Sequence, residues 1–112
     1  MKAIAVNGIT RSGKTTVCEV LITGLRQRGY TVGSVKEIHF EGFAIDPDPT
    51  TNTRRHRTAG SQLVTARGIS ETDILFQSML PMEEIFRHYD HDYVILEGVT
   101  DCNVPRIITA HN

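Results

Sequence analysis

Eight consecutive residues near the amino terminus have the types and the spacing needed to hold a polyphosphate. They read Gly8-Ile9-Thr10-Arg11-Ser12-Gly13-Lys14-Thr15 and fit the pattern G-x-x-x-x-G-K-[ST]. The glycines let the backbone curl so that successive N–H groups converge on a β-phosphate. Lys14 can bridge the β- and γ-phosphates, and the Thr15 hydroxyl can ligate Mg²⁺. The predicted nucleotide-phosphate site consists of Gly8, Thr10, Arg11, Ser12, Gly13, Lys14 and Thr15.

Two acidic residues are candidates for the metal side of this site. The apolar run 93–96 predicts a buried strand, and Glu97 follows it directly. A carboxylate at the carboxyl end of a parallel strand can reach Mg²⁺ or a water bound to it. Asp46 is the second candidate, in a loop that also carries Asp48. The alternative is that both acids are ordinary loop residues. The predicted catalytic residues are Lys14 and Glu97, and the predicted metal ligands are Thr15, Asp46 and Glu97.

Other residues that could carry chemistry lie outside this motif. The segment Thr53-Arg54-Arg55-His56-Arg57 could bind an anionic substrate, a phosphate or an acidic protein surface, or it could be a solvated basic face. Arg11 could contact a γ-phosphate, point toward a second subunit or face solvent. We expect His39 to be a surface histidine and not a metal ligand. Cys18 is expected to pack inside a helix, and Cys102 to be a free thiol.

The flanking elements are those that such a phosphate loop requires. The apolar run Ala3-Ile4-Ala5-Val6 predicts a strand buried on both faces of a parallel sheet. From Lys14 onward apolar residues recur at helical spacing, and Gly29 stands where a left-handed cap ends a helix. Residues 31–36 then predict a second strand, which completes a β-α-β unit with a right-handed crossover.

The rest of the chain has weaker signals. We expect a loop from Glu37 to Asn52, because the segment Asp46-Pro47-Asp48-Pro49 cannot continue a helix or an inner strand. Two short strands are expected to form either a hairpin or an extension of the main sheet. The predicted elements after the loop are a helix from Thr53 to Gly60, strands at 63–66 and 73–76, a helix from Pro81 to about His88, and strands at 93–96 and 106–110.

Composition limits the class of protein. The 112 residues, 39% of them hydrophobic and 22% charged, predict a single globular domain over residues 1–112. The net charge of -1 argues against a nucleic-acid binder, so small molecules or proteins are the expected partners. No apolar run has the roughly 20 residues that cross a membrane, and no leader precedes the first strand. We therefore expect a soluble cytoplasmic protein with an α/β fold.

Several segments together carry a resemblance to a known family. Besides the phosphate loop they are Lys36 with His39, Phe43-Ala44-Ile45-Asp46, Arg54-Arg55-His56-Arg57-Thr58-Ala59-Gly60, Ile95-Leu96-Glu97-Gly98 and Val104-Pro105-Arg106-Ile107. In this order, along nearly the whole chain, they resemble the molybdopterin-guanine dinucleotide biosynthesis protein B (MobB) family. The resemblance implies a P-loop (Walker A) fold, a three-layer α/β/α sandwich with a mainly parallel sheet. It also implies phosphate contacts from Thr16, in addition to the loop residues above, and a Mg²⁺ region served by Asp46 and Glu97.

The same resemblance implies a biological role. MobB proteins are cytoplasmic homodimers that bind GTP, hydrolyse it weakly and assist the guanylyltransferase that attaches GMP to molybdopterin in molybdenum cofactor biosynthesis. Family members continue beyond the Pro105-Arg106-Ile107 match with another strand and helix, so we expect a fold that lacks them or a dimer partner that completes the pocket. Members also commonly carry a histidine where this chain has Glu37.

Two functions are therefore compatible with the sequence. One is the GTP-binding adaptor just described. The other is a small P-loop kinase or ATP-dependent ligase, in which Arg54, Arg55 and Arg57 grip an anionic small molecule. Both use the same loop, and the two are distinguished by nucleotide preference and turnover.

Overall fold

A computed structural model describes residues 1–9, 11–45 and 47–110. The chain divides into two compact units, one made of Met1–His39 together with the chain from Met82 onward, and the other of Phe40–Pro81. In chain order the elements are β1 (Lys2–Asn7), α1 (Lys14–Gln27), β2 (Val32–Lys36), α2 (Asn52–Thr58), β3 (Val64–Arg67), β4 (Thr72–Leu75), α3 (Met82–Phe86), β5 (Tyr93–Glu97) and β6 (Arg106–Ile108).

The first unit is built on a four-stranded sheet in the order β2-β5-β1-β6, and every pairing in it is parallel. The β-α-β unit predicted from the sequence is present, but β5 lies between β1 and β2 and pairs with both. This register aligns Glu97 with Val6 on one side and with Lys36 on the other. The carboxyl ends of three strands therefore meet at one edge of the sheet.

Alternation along β5 separates the two faces of this sheet. Ile95 packs with Val6 and Cys18 on the α1 face, whereas Val94 and Leu96 belong to the cluster that contains residues of α3. Each of the strand residues named here is at most 1% exposed, so the central strands are buried on both faces as predicted. The result is the expected α/β/α arrangement, with one helix on each side of a parallel sheet.

Helix α1 ends as predicted and α3 is shorter than predicted. Gly29, with φ 89°, donates its N–H to the Arg26 carbonyl oxygen just beyond the end of α1. Pro81 lies immediately before α3, and the helix gives way after Phe86 to tight turns such as His88 N–H to Ile85 O at 3.1 Å. None of the helices in the described ranges is long and apolar enough to cross a bilayer.

The second unit consists of α2 and a hairpin. Strands β3 and β4 pair antiparallel in a separate two-stranded sheet, so of the two alternatives the hairpin is present and the sheet extension is not. Helix α2 begins after Thr51, whose backbone is extended, and not at Thr53 as the sequence suggested. The reason is the preceding turn, in which the Asp48 carboxylate accepts the Thr50 N–H at 2.9 Å and fixes where the helix can start.

Candidate functional site

The phosphate loop joins β1 directly to α1 and is curled by two left-handed residues. Arg11 has φ 65° and Gly13 has φ 89°, and the Ser12 N–H donates to the Ile9 carbonyl oxygen at 3.1 Å. A left-handed arginine is uncommon, because its Cβ crowds the backbone. The first turn of α1 contains no acidic residue, and no side chain of the described residues caps it. The first N–H groups of the helix are therefore available to an external anion.

Lys14 closes this loop from the helix side. Its Nζ donates a hydrogen bond to the carbonyl oxygen of Gly8 at 2.9 Å. The ammonium group therefore lies next to the first residue of the phosphate loop, where it can contact a phosphate oxygen. Thr16 follows in the same first turn and is solvent-exposed, as are Arg11 and Thr15.

Glu97 is the centre of the polar network at the sheet edge. It is 8% exposed, and its Oε2 accepts a hydrogen bond from Thr15 Oγ1 at 3.0 Å and another from Lys36 Nζ. The structure therefore brings Lys14, Thr15 and Glu97 to one edge, as the sequence predicted. It adds the bond from Lys36 to Glu97, a contact that the sequence did not predict.

The protonation states of this network follow from its neighbours. Burial alone would raise the pKa of Glu97, but the hydrogen bonds from Lys36 and Thr15 and the charge of Lys36 outweigh it, so the pKa lies below its usual value. Burial and the adjacent Glu97 carboxylate raise the pKa of the Cys18 thiol to about 11. At neutral pH the carboxylate is charged and the thiol is neutral.

The residues after β6 hold the loop from the other side. Thr109 Oγ1 lies 2.5 Å from Ser12 Oγ, and the Thr109 N–H donates to the Asn7 carbonyl oxygen at 2.7 Å. A Cβ added at Gly8 would lie 2.2 Å from Thr109 Oγ1 and 2.6 Å from the Thr109 carbonyl oxygen. The first glycine of the motif is thus required by close packing against Thr109 as well as by the curl of the loop.

Arg106 organises the segment that follows β5. Its guanidinium donates to Asn7 Oδ1 at 2.6 Å, to the Val99 carbonyl oxygen at 2.7 Å and to the Cys102 carbonyl oxygen. The Asn7 side-chain amide also donates to Val99 O at 3.0 Å. Cys102 is a free thiol, as expected. The arginine of the Pro-Arg-Ile segment therefore holds the backbone that follows β5 next to the end of β1, where the phosphate loop begins.

The donor set at the sheet edge fits Mg²⁺ held together with phosphates. Such sites use one or two protein oxygens and take the remaining ligands from phosphates and water. The Thr15 hydroxyl and the Glu97 carboxylate supply two oxygens 3.0 Å apart. Within the described ranges there is no group of three or more His, Cys, Asp and Glu side chains that could hold a metal ion without a ligand's help. Two predicted residues, Thr10 and Asp46, lie outside the described residues.

The basic segment predicted from the sequence forms most of α2 in the second unit. Arg55 and His56 line an open concavity of about 660 Å³ together with Asn52, Ala59 and Ser61. Arg54 and Arg57 line a smaller one of about 290 Å³ with Thr58, Ser61 and Gln77. Neither of the two ion pairs among the described residues involves these arginines.

The sequence of this chain matches the model of one known protein family. A family model described as molybdopterin guanine dinucleotide synthesis protein B matches residues 3–112. No curated protein sequence matches the chain significantly.

Solved structures share the fold at low sequence identity. A crystal structure of a MobB protein homolog from Bacillus stearothermophilus has a TM-score of 0.70 and 18% identity over 97% of this chain and 63% of its own. Two structures of Bacillus subtilis MobB have TM-scores of 0.72 and 0.76, with 18% and 20% identity over 96% and 98% of this chain and 64% and 68% of theirs. The chain thus spans less than two thirds of the length of two of these relatives. Because the family model covers nearly the whole sequence and the fold agrees, this chain belongs to the molybdopterin guanine dinucleotide synthesis protein B family.

Proposed function

We propose that this chain binds the triphosphate of GTP, with Mg²⁺, on the loop Gly8–Thr15 and acts as an adaptor in the synthesis of molybdopterin guanine dinucleotide. The observation that carries the proposal is the junction of β1 and α1. There a left-handed Gly13 exposes the first N–H groups of the helix, and Lys14 lies over the loop at 2.9 Å from Gly8 O. Such a junction is suited to polyphosphate binding by its dipole, its amides and its ammonium group together.

The surroundings of Glu97 support slow hydrolysis. A fast nucleotide hydrolase needs a group that activates or positions water opposite the γ-phosphate. The Glu97 carboxylate is engaged by Lys36 and Thr15 and has a lowered pKa, so it is a weak base that suits a metal ligand better than a proton acceptor. Bound Mg²⁺ would neutralise phosphate charge, and Thr15 and Glu97 would hold it.

The choice of GTP and of partners rests on family membership. We propose that the chain works in the cytoplasm as a homodimer and assists the guanylyltransferase that attaches GMP to molybdopterin. The test of the nucleotide is isothermal titration calorimetry with GTP and with ATP, each with Mg²⁺. Tighter binding of GTP is expected, and a strong preference for ATP would refute the adaptor proposal.

A second function is favoured by one observation, the arginines of α2, which form no ion pair with another described residue. In a small P-loop kinase or ATP-dependent ligase they would grip an anionic acceptor. Phosphate release with and without candidate acceptors separates the two functions. An adaptor keeps a slow rate throughout, whereas a kinase consumes nucleotide rapidly once its acceptor is supplied.

A further inference from the structure

Helix α2 carries a concentration of positive charge that the proposed adaptor function does not use. Its seven residues are Asn-Thr-Arg-Arg-His-Arg-Thr, with three arginines, one histidine and no acid. The chain as a whole has a net charge of -1, so this helix departs from its surroundings. The positive charge of α2 therefore does not reflect the overall composition of the chain.

The helix divides its basic residues between two faces. Arg55 and His56 share one face with Asn52 and Ala59, at spacings of three, four and seven residues, and this face borders the 660 Å³ concavity. The size lies within the range of small-molecule sites. Among the described residues no carboxylate lines this concavity, and the polar side-chain groups that do are a guanidinium, an imidazole, an amide and a hydroxyl.

The arginines of α2 form no ion pair with any other residue that the structure describes. Neither ion pair among the described residues includes Arg54, Arg55 or Arg57, and no side-chain hydrogen bond in the described part of the chain uses their guanidinium groups. Asp73 lies in β4 of the hairpin and Glu71 just before that strand, and the interaction with Asp73 raises the pKa of Glu71.

A role in helix stability explains only part of this pattern. Cations in the last turn are favoured by the helix dipole, and Arg55, His56 and Arg57 occupy that turn. The dipole does not require the same side chains to line a concavity. A planar guanidinium is suited to bidentate contact with a phosphate, and an imidazole beside it adds a further donor when protonated.

We propose that the concavity beside Arg55 and His56 binds the phosphomonoester group of a small organic molecule. Arg55 contacts two phosphate oxygens, His56 a third, and the rest of the molecule occupies the remaining volume next to Ala59. The residues that line this concavity belong to the second unit, whereas the phosphate loop belongs to the first. Both can therefore be tested independently.

The test follows the arginine Nε–Hε signals of the full chain by heteronuclear NMR during titration with phenyl phosphate. A saturable shift is expected at Arg55, accompanied by shifts of backbone amides between Asn52 and Ser61. Arg55→Gln should weaken the affinity by about tenfold or more, since it removes hydrogen bonds to a charged group. Inorganic phosphate should bind more weakly than phenyl phosphate, because it leaves most of the concavity empty.

Two matched variants make the result specific. Arg67→Gln removes the same charge from an exposed position on the hairpin and should change the affinity by no more than about twofold. Lys14→Ala should leave the Arg55 shift intact, which separates this site from the phosphate loop. The proposal is overturned if the shifts are confined to the phosphate loop, if they do not saturate, or if Arg67→Gln weakens binding as much as Arg55→Gln. Equal affinity for inorganic phosphate would overturn the assignment of an organic ligand.

Discussion

Replacing Gly8 with alanine tests whether the phosphate loop is held by its contact with the end of the sheet. The added Cβ would lie 2.2 Å from Thr109 Oγ1, 2.6 Å from Ser12 Oγ and 2.6 Å from the Thr109 carbonyl oxygen. The two hydroxyl groups can rotate away. The carbonyl oxygen moves only with the main chain, which the bond from the Thr109 N–H to Asn7 O at 2.7 Å holds close to the loop.

The expected cost has two parts. Moving the loop or the strand to admit the methyl group costs about 1–3 kcal/mol, as other overpacked sites do. Loss of the bond between Ser12 and Thr109 adds about 0.5–1.5 kcal/mol. We therefore expect Gly8→Ala to lower the free energy of unfolding by about 2–4 kcal/mol. With a typical urea dependence, the unfolding midpoint falls by roughly 1–2 M.

The assay is urea unfolding of the nucleotide-free chain followed by circular dichroism. Gly24→Ala is the matched control, because a Cβ at Gly24 has nothing within 4 Å. Since Gly24 lies inside α1, alanine there should raise the free energy of unfolding by about 0.5–1 kcal/mol. Adding Thr109→Ala to Gly8→Ala should recover part of the loss, since it removes the nearest contact. A midpoint for Gly8→Ala equal to or above that of the unmodified chain would refute the packing argument.

Three further predictions concern charge. Lys14→Ala should weaken triphosphate binding roughly 10–100-fold, since a charged hydrogen-bond donor to the phosphates is lost, as measured by calorimetry. Glu97→Gln should lower Mg²⁺-dependent hydrolysis roughly 10–100-fold, and binding less, as measured by phosphate release. Hydrogen bonds from the Thr31 N–H and hydroxyl lower the pKa of Asp92, so its stabilisation is complete above the ordinary carboxyl pKa and is lost as pH falls through the lowered value. Asp92→Asn should therefore destabilise the chain at neutral pH, and the difference should shrink in acid, as measured by unfolding between about pH 7 and pH 2.

Each of these predictions has its own control. The Lys14 variant must keep the circular dichroism spectrum of the unmodified chain, and unchanged affinity would argue against the phosphate site. Equal loss of binding and hydrolysis in the Glu97 variant would mean that this carboxylate serves the structure. Asp101→Asn, at an exposed position, should not alter the acid limb of the stability profile. An unaltered profile for Asp92→Asn would contradict the role of the Thr31 bonds.

The sequence predicted the site where the chemistry is local. Gly13, Lys14 and Thr15 lie within one motif, and a buried strand followed by a turn indicated Glu97. The Cys18 packing and the cap at Gly29 follow from the period of one helix. These features depend on residues within a few positions of one another, so a local pattern is enough to find them.

The contacts that sequence reasoning missed all depend on the order of strands. Lys36 meets Glu97 because β2 pairs with β5, and Thr109 meets Ser12 because β6 pairs with β1. The predicted parallel sheet did give a clue to these contacts, because the carboxyl ends of neighbouring parallel strands lie at the same edge of a sheet. Without the strand order, however, the position of each end relative to the loop could not be assigned.

No described side chain caps the start of α1, so binding of an anionic ligand there is coupled to the stability of the fold. A helix with no acidic residue in its own first turn gains stability when an anion from solution binds at its positive end. A ligand at one hundred times its dissociation constant adds about 2.7 kcal/mol to the free energy of unfolding. The proportion of chains that survive heat or protease is therefore expected to rise with the concentration of whatever polyanion binds at Gly13 and Lys14.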